Sequence, residues 1–420
     1  MVSRVFSGEH GIRRSSVVAW IVYDVGNTLF YTGVVGIFFP LWITQKMGGN
    51  DATVGYTLAA AMAIALVLGP IIGAFSDQVG RRMPFLAVST FTCIAATLLL
   101  GGDNLTLALS LFTVAVIAIT TSTIFYNTML ADVSTEDTRG TVSGLGVGIG
   151  YLGAIVAVVL ALIFVESRGQ VFGFRVVGVL YLLAAIPLLL LLKERSRPLQ
   201  TLTASRRVAR TVAQLKVTLG NIQRFPGLLR FLVARFWYIW TVNTSASFAI
   251  LYGTGTVGFE ERHVEVVLLV GVFVAIPSGL LWGIVVDRVG PKRALSVVLV
   301  GWVLMLVMAA VIPWLDLPSY LWWGIAVSAG VLVAGVWVAD RPYMLRLTSP
   351  QYMGEFFGLH GMTGRLSFMV GPFMWGFIAV TLGLGQKAAV LSLAVTALIG
   401  LFLIQGVGDR AQTPIEDPVL

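Results

Sequence analysis

The chain has 420 residues, of which 57 % are hydrophobic and 11 % charged, with a formal net charge of +8 and a mean hydropathy of +0.90. Soluble domains carry about 25 % charged residues, so these values exclude an ordinary water-solvated fold. The basic residues flank apolar runs and form no base-reading motif, which also excludes nucleic-acid binding as the reason for the charge.

Residues 1–16 carry Arg4, Arg13 and Arg14 and only superficially suit a signal peptide. The apolar run behind them, 17–44, is longer than an h-region, contains Asp24 and Asn27, and lacks a small-residue cleavage pattern. It therefore reads as a first membrane span, for which about 20 apolar residues suffice. Asp24, Asn27, Thr28 and Tyr31 share a face of it, with Tyr23 beside them. A carboxylate in hydrocarbon costs about 2.5–3.5 kcal/mol even on the lenient insertion scale, so this face is expected to look into the bundle. Asp24 is then a protonation site, a contact for a cationic substrate group, or a structural carboxylate near the inner mouth.

The second span, 53–76, runs into GAFSDQVGRR at 73–82, and the third, 84–101, encloses the only cysteine, Cys93. One cysteine in an apolar run supports neither a disulfide nor a metal or redox site. The fourth span, 105–129, ends in FYNTMLAD at 125–132, where Tyr126 and Asn127 suit either a solute or interhelical hydrogen bonding. Asp132, Glu136, Asp137 and Arg139 follow, as a cytoplasmic gate or as a turn and capped helix start. The fifth span, 140–164, opens SGLGVGIGYLGA; its Gly144/Gly148 and Gly146/Gly150 pairs fit close helix packing or a hinge. The sixth covers 171–192.

A connection at 193–226 holds Arg195, Arg197, Arg206, Arg207, Arg210, Lys216 and Arg224 against a single acid, Glu194. Such a segment belongs on the cytoplasmic side, against anionic lipid. The seventh span, 227–253, carries Arg235 near its start, where an arginine ordinarily snorkels to headgroups. Tyr238 and Asn243 lie deeper and are better placed for substrate contact. Spans at 264–286, 293–313 and 319–343 follow; the last closes on Asp340, the second-half counterpart of Asp132. In the eleventh span, 355–382, Arg365 lies ten residues in, roughly 15 Å into a layer about 30 Å thick. Snorkelling from there is costly, so a carboxylate partner or an aqueous cavity is expected. The twelfth span, 387–405, precedes a tail at 406–420.

The loop after the second span returns after the eighth as GIVVDRVGPKR, with Asp77 and Asp287 210 residues apart. Duplication in register gives an N-terminal bundle over 17–192 and a C-terminal bundle over 227–405. The predicted fold class is an all-α integral membrane protein with twelve transmembrane helices in two six-helix repeats, the plan of major facilitators. Asp77, Arg81, Asp287 and Arg293 are assigned to equivalent inner loops, joined in gating by Asp132, Arg139 and Asp340. Even span counts around a cytoplasmic connection place both termini in the cytoplasm.

The motifs resemble those of the fungal vacuolar amino-acid effluxers and their bacterial relatives. The first span of that family reads like AWxxYDxxNSxF, matched by Ala19, Trp20, Tyr23, Asp24, Asn27 and Phe30, with Thr28 in place of Ser. A YNxxL element and RGxxSGLGxxxGYLG are met by Tyr126, Asn127, Leu130, Arg139, Gly140, Ser143, Gly144, Gly146, Gly150, Tyr151 and Gly153. A late EFFGLY…G[KR]xSxxxGPxxxG segment is met by Glu355, Phe356, Phe357, Gly358, Leu359, Gly364, Arg365, Ser367, Gly371, Pro372 and Gly376. ADRPYM at 339–344 departs from the more neutral element that relatives carry there. The resemblance implies a secondary carrier, with amino acids as the solutes that the fungal members export; proton coupling is the expectation attached to Asp24.

Movement of a lipid or amphiphile is the alternative within transport, and a receptor or scaffold the alternative outside it. No Walker motif and no nucleophile, base and orienter set is present, so neither an ATP-driven pump nor an enzyme is expected. The expected partners are a small-molecule substrate, protons and anionic lipid at the cytoplasmic face, with no cofactor or metal and a monomeric working unit. Short loops and the lack of a targeting extension point to a bacterial plasma membrane.

Overall fold

Helix ends in this chain follow local chemistry. Asn104 accepts the Leu107 amide on its Oδ1 (3.0 Å) and opens one helix; Pro at the first turn opens the helices that start at Met83 and Pro291. The structure is a computed structural model that describes residues 12–49, 51–194, 226–348 and 352–409. Of the connection expected at 193–226, only 193, 194 and 226 are among them; residues 1–11 and 410–420 of the terminal segments lie outside the described residues.

The described residues form helices and no strands. In chain order they are α1 (Arg14–Gln45), α2 (Asp51–Val79), α3 (Met83–Leu99), α4 (Leu105–Thr128), α5 (139–168), α6 (170–191), α7 (Pro226–Gly255), α8 (Glu261–Val289), α9 (Pro291–Trp314), α10 (Leu321–Leu347), α11 (Met353–Gly376) and α12 (Gly385–Gln405). A helix stands at each of the twelve expected spans. The α1 helix widens to π-helical turns over Tyr31–Phe38, directly before Pro40. Pro40 cannot donate to the Gly36 carbonyl and its ring crowds it, which accounts for the wider turns. α5 and α6 meet at Gly169, whose φ of 74° and ψ of 172° suit glycine alone.

Among the described residues nine helical segments are long and apolar enough to cross a membrane, and α3 is a shorter apolar helix. α7 and α11 fall below that threshold because they carry Arg235, Asn243, Glu355, His360 and Arg365 among Thr, Ser and Gly.

Two compact units result, the first holding residues 12–194 with 352–361 and the second 226–348 with 362–409. In the first, α1 packs on α5 and α6, α2 on α4, and α3 on α4. In the second, α7 packs on α12, α8 on α10, and α9 on both α10 and α12. The repeat read from the loops is thus also a repeat of helix partners within each unit.

Candidate transport site

The first unit builds its polar interior around α1. Trp20 lies over Gly146 of α5, where a Cβ would fall 2.6 Å from the ring. Its Nε1 donates to the Tyr126 carbonyl (3.1 Å) while its ring stacks on Tyr126 at 4.5 Å. Tyr23 continues the stack, 5.2 Å from Tyr126, and shares a 2.6 Å hydrogen bond with Thr90 of α3. The Tyr181 hydroxyl donates to Asn27 Oδ1 (2.8 Å) and lies 3.2 Å from the Tyr23 oxygen. Tyr23 and Asn27 are therefore joined to α3 and α6 by a buried aromatic and hydroxyl network. Thr90 and Tyr181 were not legible as members of it.

Asp24 is 6 % exposed and faces α5. A Cβ on Gly150 would sit 3.2 Å from Asp24 Oδ2 and 3.4 Å from Thr28 Oγ1, so the glycine makes room for the carboxylate. Tyr31 is half-buried at the start of the π-helical turns, edge-on to Phe30. Asn127 is buried, and its Oδ1 has no hydrogen-bond partner among the described residues. Asp132 is buried in a short turn of helix after α4, and Arg139 is half-buried at the start of α5. Thr138 closes the turn between them by accepting the Thr135 amide (3.0 Å).

The second unit holds a buried ion pair that corrects the reading of Arg235. Arg235 does not snorkel: its Nε donates to both oxygens of Asp340 (3.1 Å each) and its Nη1 to Thr363 (2.7 Å). Tyr238 adds a 2.5 Å hydrogen bond to Asp340 Oδ1. The Arg235 and Asp340 side chains are 5 % and 0 % exposed, so α7 and α10 are joined by a desolvated charge pair. Gly364 of α11 makes this possible, since a Cβ there would lie 3.2 Å from Arg235 Nη1. Two opposite charges in separate spans were the sequence signal; proximity of Arg235 to a helix end outweighed it.

Asn243 is half-buried one to two turns deeper on α7. Arg365 is 7 % exposed, about 18 Å along α11 from Met353. Two residues on, Ser367 donates to the Phe236 carbonyl (2.7 Å) and fixes α11 against α7.

The duplicated loops differ in detail. Asp77 accepts the amides of Gly354 and Glu355 at the first turn of α11 (3.0 and 2.9 Å) and pairs with Arg82 (2.6 Å). A carboxylate on two amides at a helix start meets both the unpaired donors and the dipole. Gly73 permits the approach, because a Cβ there would fall 2.2 Å from the Gly354 carbonyl oxygen. Arg82, 1 % exposed, is the buried partner, whereas Arg81, the loop arginine assigned to gating from the sequence, is exposed. In the second copy Asp287 is half-buried and Arg293 exposed.

Each repeat also pins its last helix to its own loop, with opposite chemistry. Glu194, just past α6, accepts the Arg82 and Met83 amides (2.6 and 3.0 Å). Lys292 donates to the Gln405 and Val407 carbonyls at the end of α12 (3.0 and 2.6 Å).

Asp77→Asn is expected to cost more stability than Asp287→Asn. The amide loses the charge facing a buried guanidinium and weakens the α11 cap, worth about 1–2 kcal/mol, whereas Asp287 is only half-buried. Thermal melting of the two purified variants checks the order, and equal melting points would show the copies to be equivalent after all.

A family model described as Major Facilitator Superfamily matches residues 26–372. The chain belongs to the Major Facilitator Superfamily. As a major facilitator it is a multi-pass membrane protein and a secondary transporter, not an enzyme. It is 25 % identical over 420 residues to the uncharacterised MFS-type transporter YxiO of Bacillus subtilis, covering 94 % of this chain and 96 % of that one. It is 24 % identical over 283 residues to autophagy-related protein 22-1 of Aspergillus niger, covering 62 % of this chain and 46 % of that one. Among solved structures the fucose:proton symporter FucP of E. coli shares the fold, with a TM-score of 0.72 at 14 % identity over 95 % of this chain and 98 % of that one.

Proposed function

We propose that this major facilitator moves a small zwitterionic solute, an amino acid or close analogue, by alternating access coupled to protons. The observation that carries the reading is that α1 and α11 each keep a charged side chain buried well inside the helix, Asp24 at 6 % and Arg365 at 7 % exposure. Neither position is needed to build a membrane helix, and each carries the cost of a desolvated charge. In this reading Asp24 carries the proton and Arg365 binds the solute carboxylate by charge-assisted hydrogen bonds. Within the first unit the Asn127 oxygen is a buried acceptor, and the motif resemblance to the fungal effluxers supports the amino-acid class.

The further proposed solute and coupling residues are Tyr31 and Tyr126 in the first unit, with the network of Tyr23 and Asn27, and Tyr238 and Asn243 in the second. The loops bearing Asp77 and Arg82, Asp132 and Arg139, Asp287 and Arg293, and the pair made by Asp340, set the conformational balance. The carrier works as a monomer in the plasma membrane, with both termini and the basic connection at the cytoplasmic face against anionic lipid.

Purified protein in sealed liposomes tests this reading with labelled amino acids. Arg365→Gln is expected to raise KM for the transported solute about 10- to 150-fold, the equivalent of one charge-assisted hydrogen bond, with Arg365→Lys intermediate. Asp24→Asn is expected to abolish accumulation driven by a pH gradient while leaving solute exchange intact. Unaltered KM in Arg365→Gln together with normal accumulation in Asp24→Asn, at matched expression and melting, returns both residues to a structural role.

A further inference from the structure

At the N-terminal end of α8, at the opposite end of that helix from the Asp287 loop, the second unit carries a group of side chains that the transport reading does not use. The sequence there, GFEERHVE at 258–265, sets Glu260, Glu261 and Glu265 against Arg262, a local acidic excess in a chain of net charge +8. α7 ends at Gly255, and Gly258, with φ of 78°, turns the backbone so that Phe259 and Glu260 lead into α8. The Phe259 ring stacks on the His263 imidazole, with centroids 4.5 Å apart and planes at 22°. His263 in turn lies 5.8 Å from Trp323 in the first turn of α10. Phe259 also meets the buried Trp322 edge-on at 6.3 Å, which fixes the loop against α10. Between these elements lies a cleft of 260 Å³ lined by Glu260, His263, Val266 and Trp323.

Tryptophans and tyrosines at the ends of membrane helices ordinarily anchor at the headgroup level. Trp314 and Tyr320, at the same end of α9 and α10, are exposed as that role requires. Trp323 is exposed as well, and its indole in addition helps wall a cleft that also holds a carboxylate and an imidazole. This set fits a cation with carbon substituents: the carboxylate supplies the charge, the indole face attracts cations through its quadrupole, and Val266 meets the carbon atoms. An anion would be repelled by Glu260. The volume falls below the roughly 300–1,000 Å³ of sites for drug-sized molecules, so one small group fills it.

We propose that the cleft formed by Glu260, His263, Val266 and Trp323 binds an alkylammonium group, ion-paired to Glu260 and lying against the Trp323 indole. The position among interfacial aromatic residues gives two sources for that chemistry, a soluble amine or the amine headgroup of a phospholipid.

The test uses the full-length protein and a binding readout, so its outcome does not depend on any transport assay. Saturation-transfer NMR in detergent is recorded with ethanolamine, tetramethylammonium and acetate on wild type, Glu260→Gln and Trp323→Leu. In parallel, native mass spectrometry from nanodiscs of mixed phosphatidylethanolamine and phosphatidylglycerol counts retained lipid. Saturation of both amines but not acetate, weakened about two- to fivefold in each variant as expected for exposed ion-pair and cation–π contacts, supports the proposal with a soluble amine. Retention of phosphatidylethanolamine that falls in both variants, without signal from free amines, supports it with a lipid headgroup. Failure of both the amine signal and ethanolamine-lipid retention to fall in the variants, or their absence from wild type in both arms, overturns it. Matched melting temperatures confirm that each variant is folded.

Discussion

Asp340→Ala is expected to destabilise the protein by about 3–5 kcal/mol, the cost of leaving a buried charge without its counter-charge. Arg235 is 4 % exposed, and in this variant it keeps Thr363 but loses both oxygens that receive its Nε. The Tyr238 hydroxyl loses its acceptor in the same step. The double variant Arg235→Met with Asp340→Leu is expected to regain most of the loss, because two apolar side chains of similar volume need no partner. Transport activity is expected to stay absent in the double variant if the pair opens and closes during the cycle. Thermal melting in detergent reads the first part, as a drop on the order of 10 °C for Asp340→Ala. A melting point within a degree or two of wild type would show that the pair contributes little to holding α7 against α10.

Gly153→Ala is expected to be the most damaging of the α5 glycine substitutions, and Gly150→Ala the most informative. A Cβ at Gly153 would fall 2.2 Å from the Val25 carbonyl oxygen and 2.8 Å from the Leu29 nitrogen, both backbone atoms of α1 that cannot turn aside. The helices would have to separate, a cost of about 1–3 kcal/mol or more. At Gly150 the nearest atom is the Asp24 carboxylate at 3.2 Å, the tip of a side chain that can rotate. Gly150→Ala is therefore expected to fold and melt like wild type while displacing Asp24, changing the pH dependence of transport without loss of protein. Yield and melting temperature for Gly153→Ala, and a pH profile for Gly150→Ala, check the two. A stable Gly153→Ala, or a Gly150→Ala profile identical to wild type, would contradict the assignment.

The helix count was legible because each apolar run is closed by Gly, Pro, Asn or a charge, and the break between α5 and α6 fell where Gly169 adopts its positive φ. The glycines of SGLGVGIGYLGA were legible as packing residues. Which of them admits a carboxylate and which a backbone depends on the rotation of α5 against α1, which spacing within α5 does not determine. The same limit explains Arg235. Its distance from the helix end argued for headgroups, and only the approach of α10 shows Asp340 within reach. In the GRR loop two adjacent arginines were equivalent on paper, and the start of α3 buries Arg82 while leaving Arg81 exposed. Glu194, read as the lone acid of a basic connection, turned out to bind the amides at the start of α3.

In the proposed cycle solute and proton move together through this protein, with Asp24 as the proton-carrying group. Solute-driven proton flux in sealed proteoliposomes, read with a trapped pH dye across a panel of amino acids, tests it most directly. A saturable pH change is expected with at least one zwitterionic member of the panel in wild type and none in Asp24→Asn at equal reconstitution. No flux with any member, or the same flux in Asp24→Asn as in wild type, would contradict it.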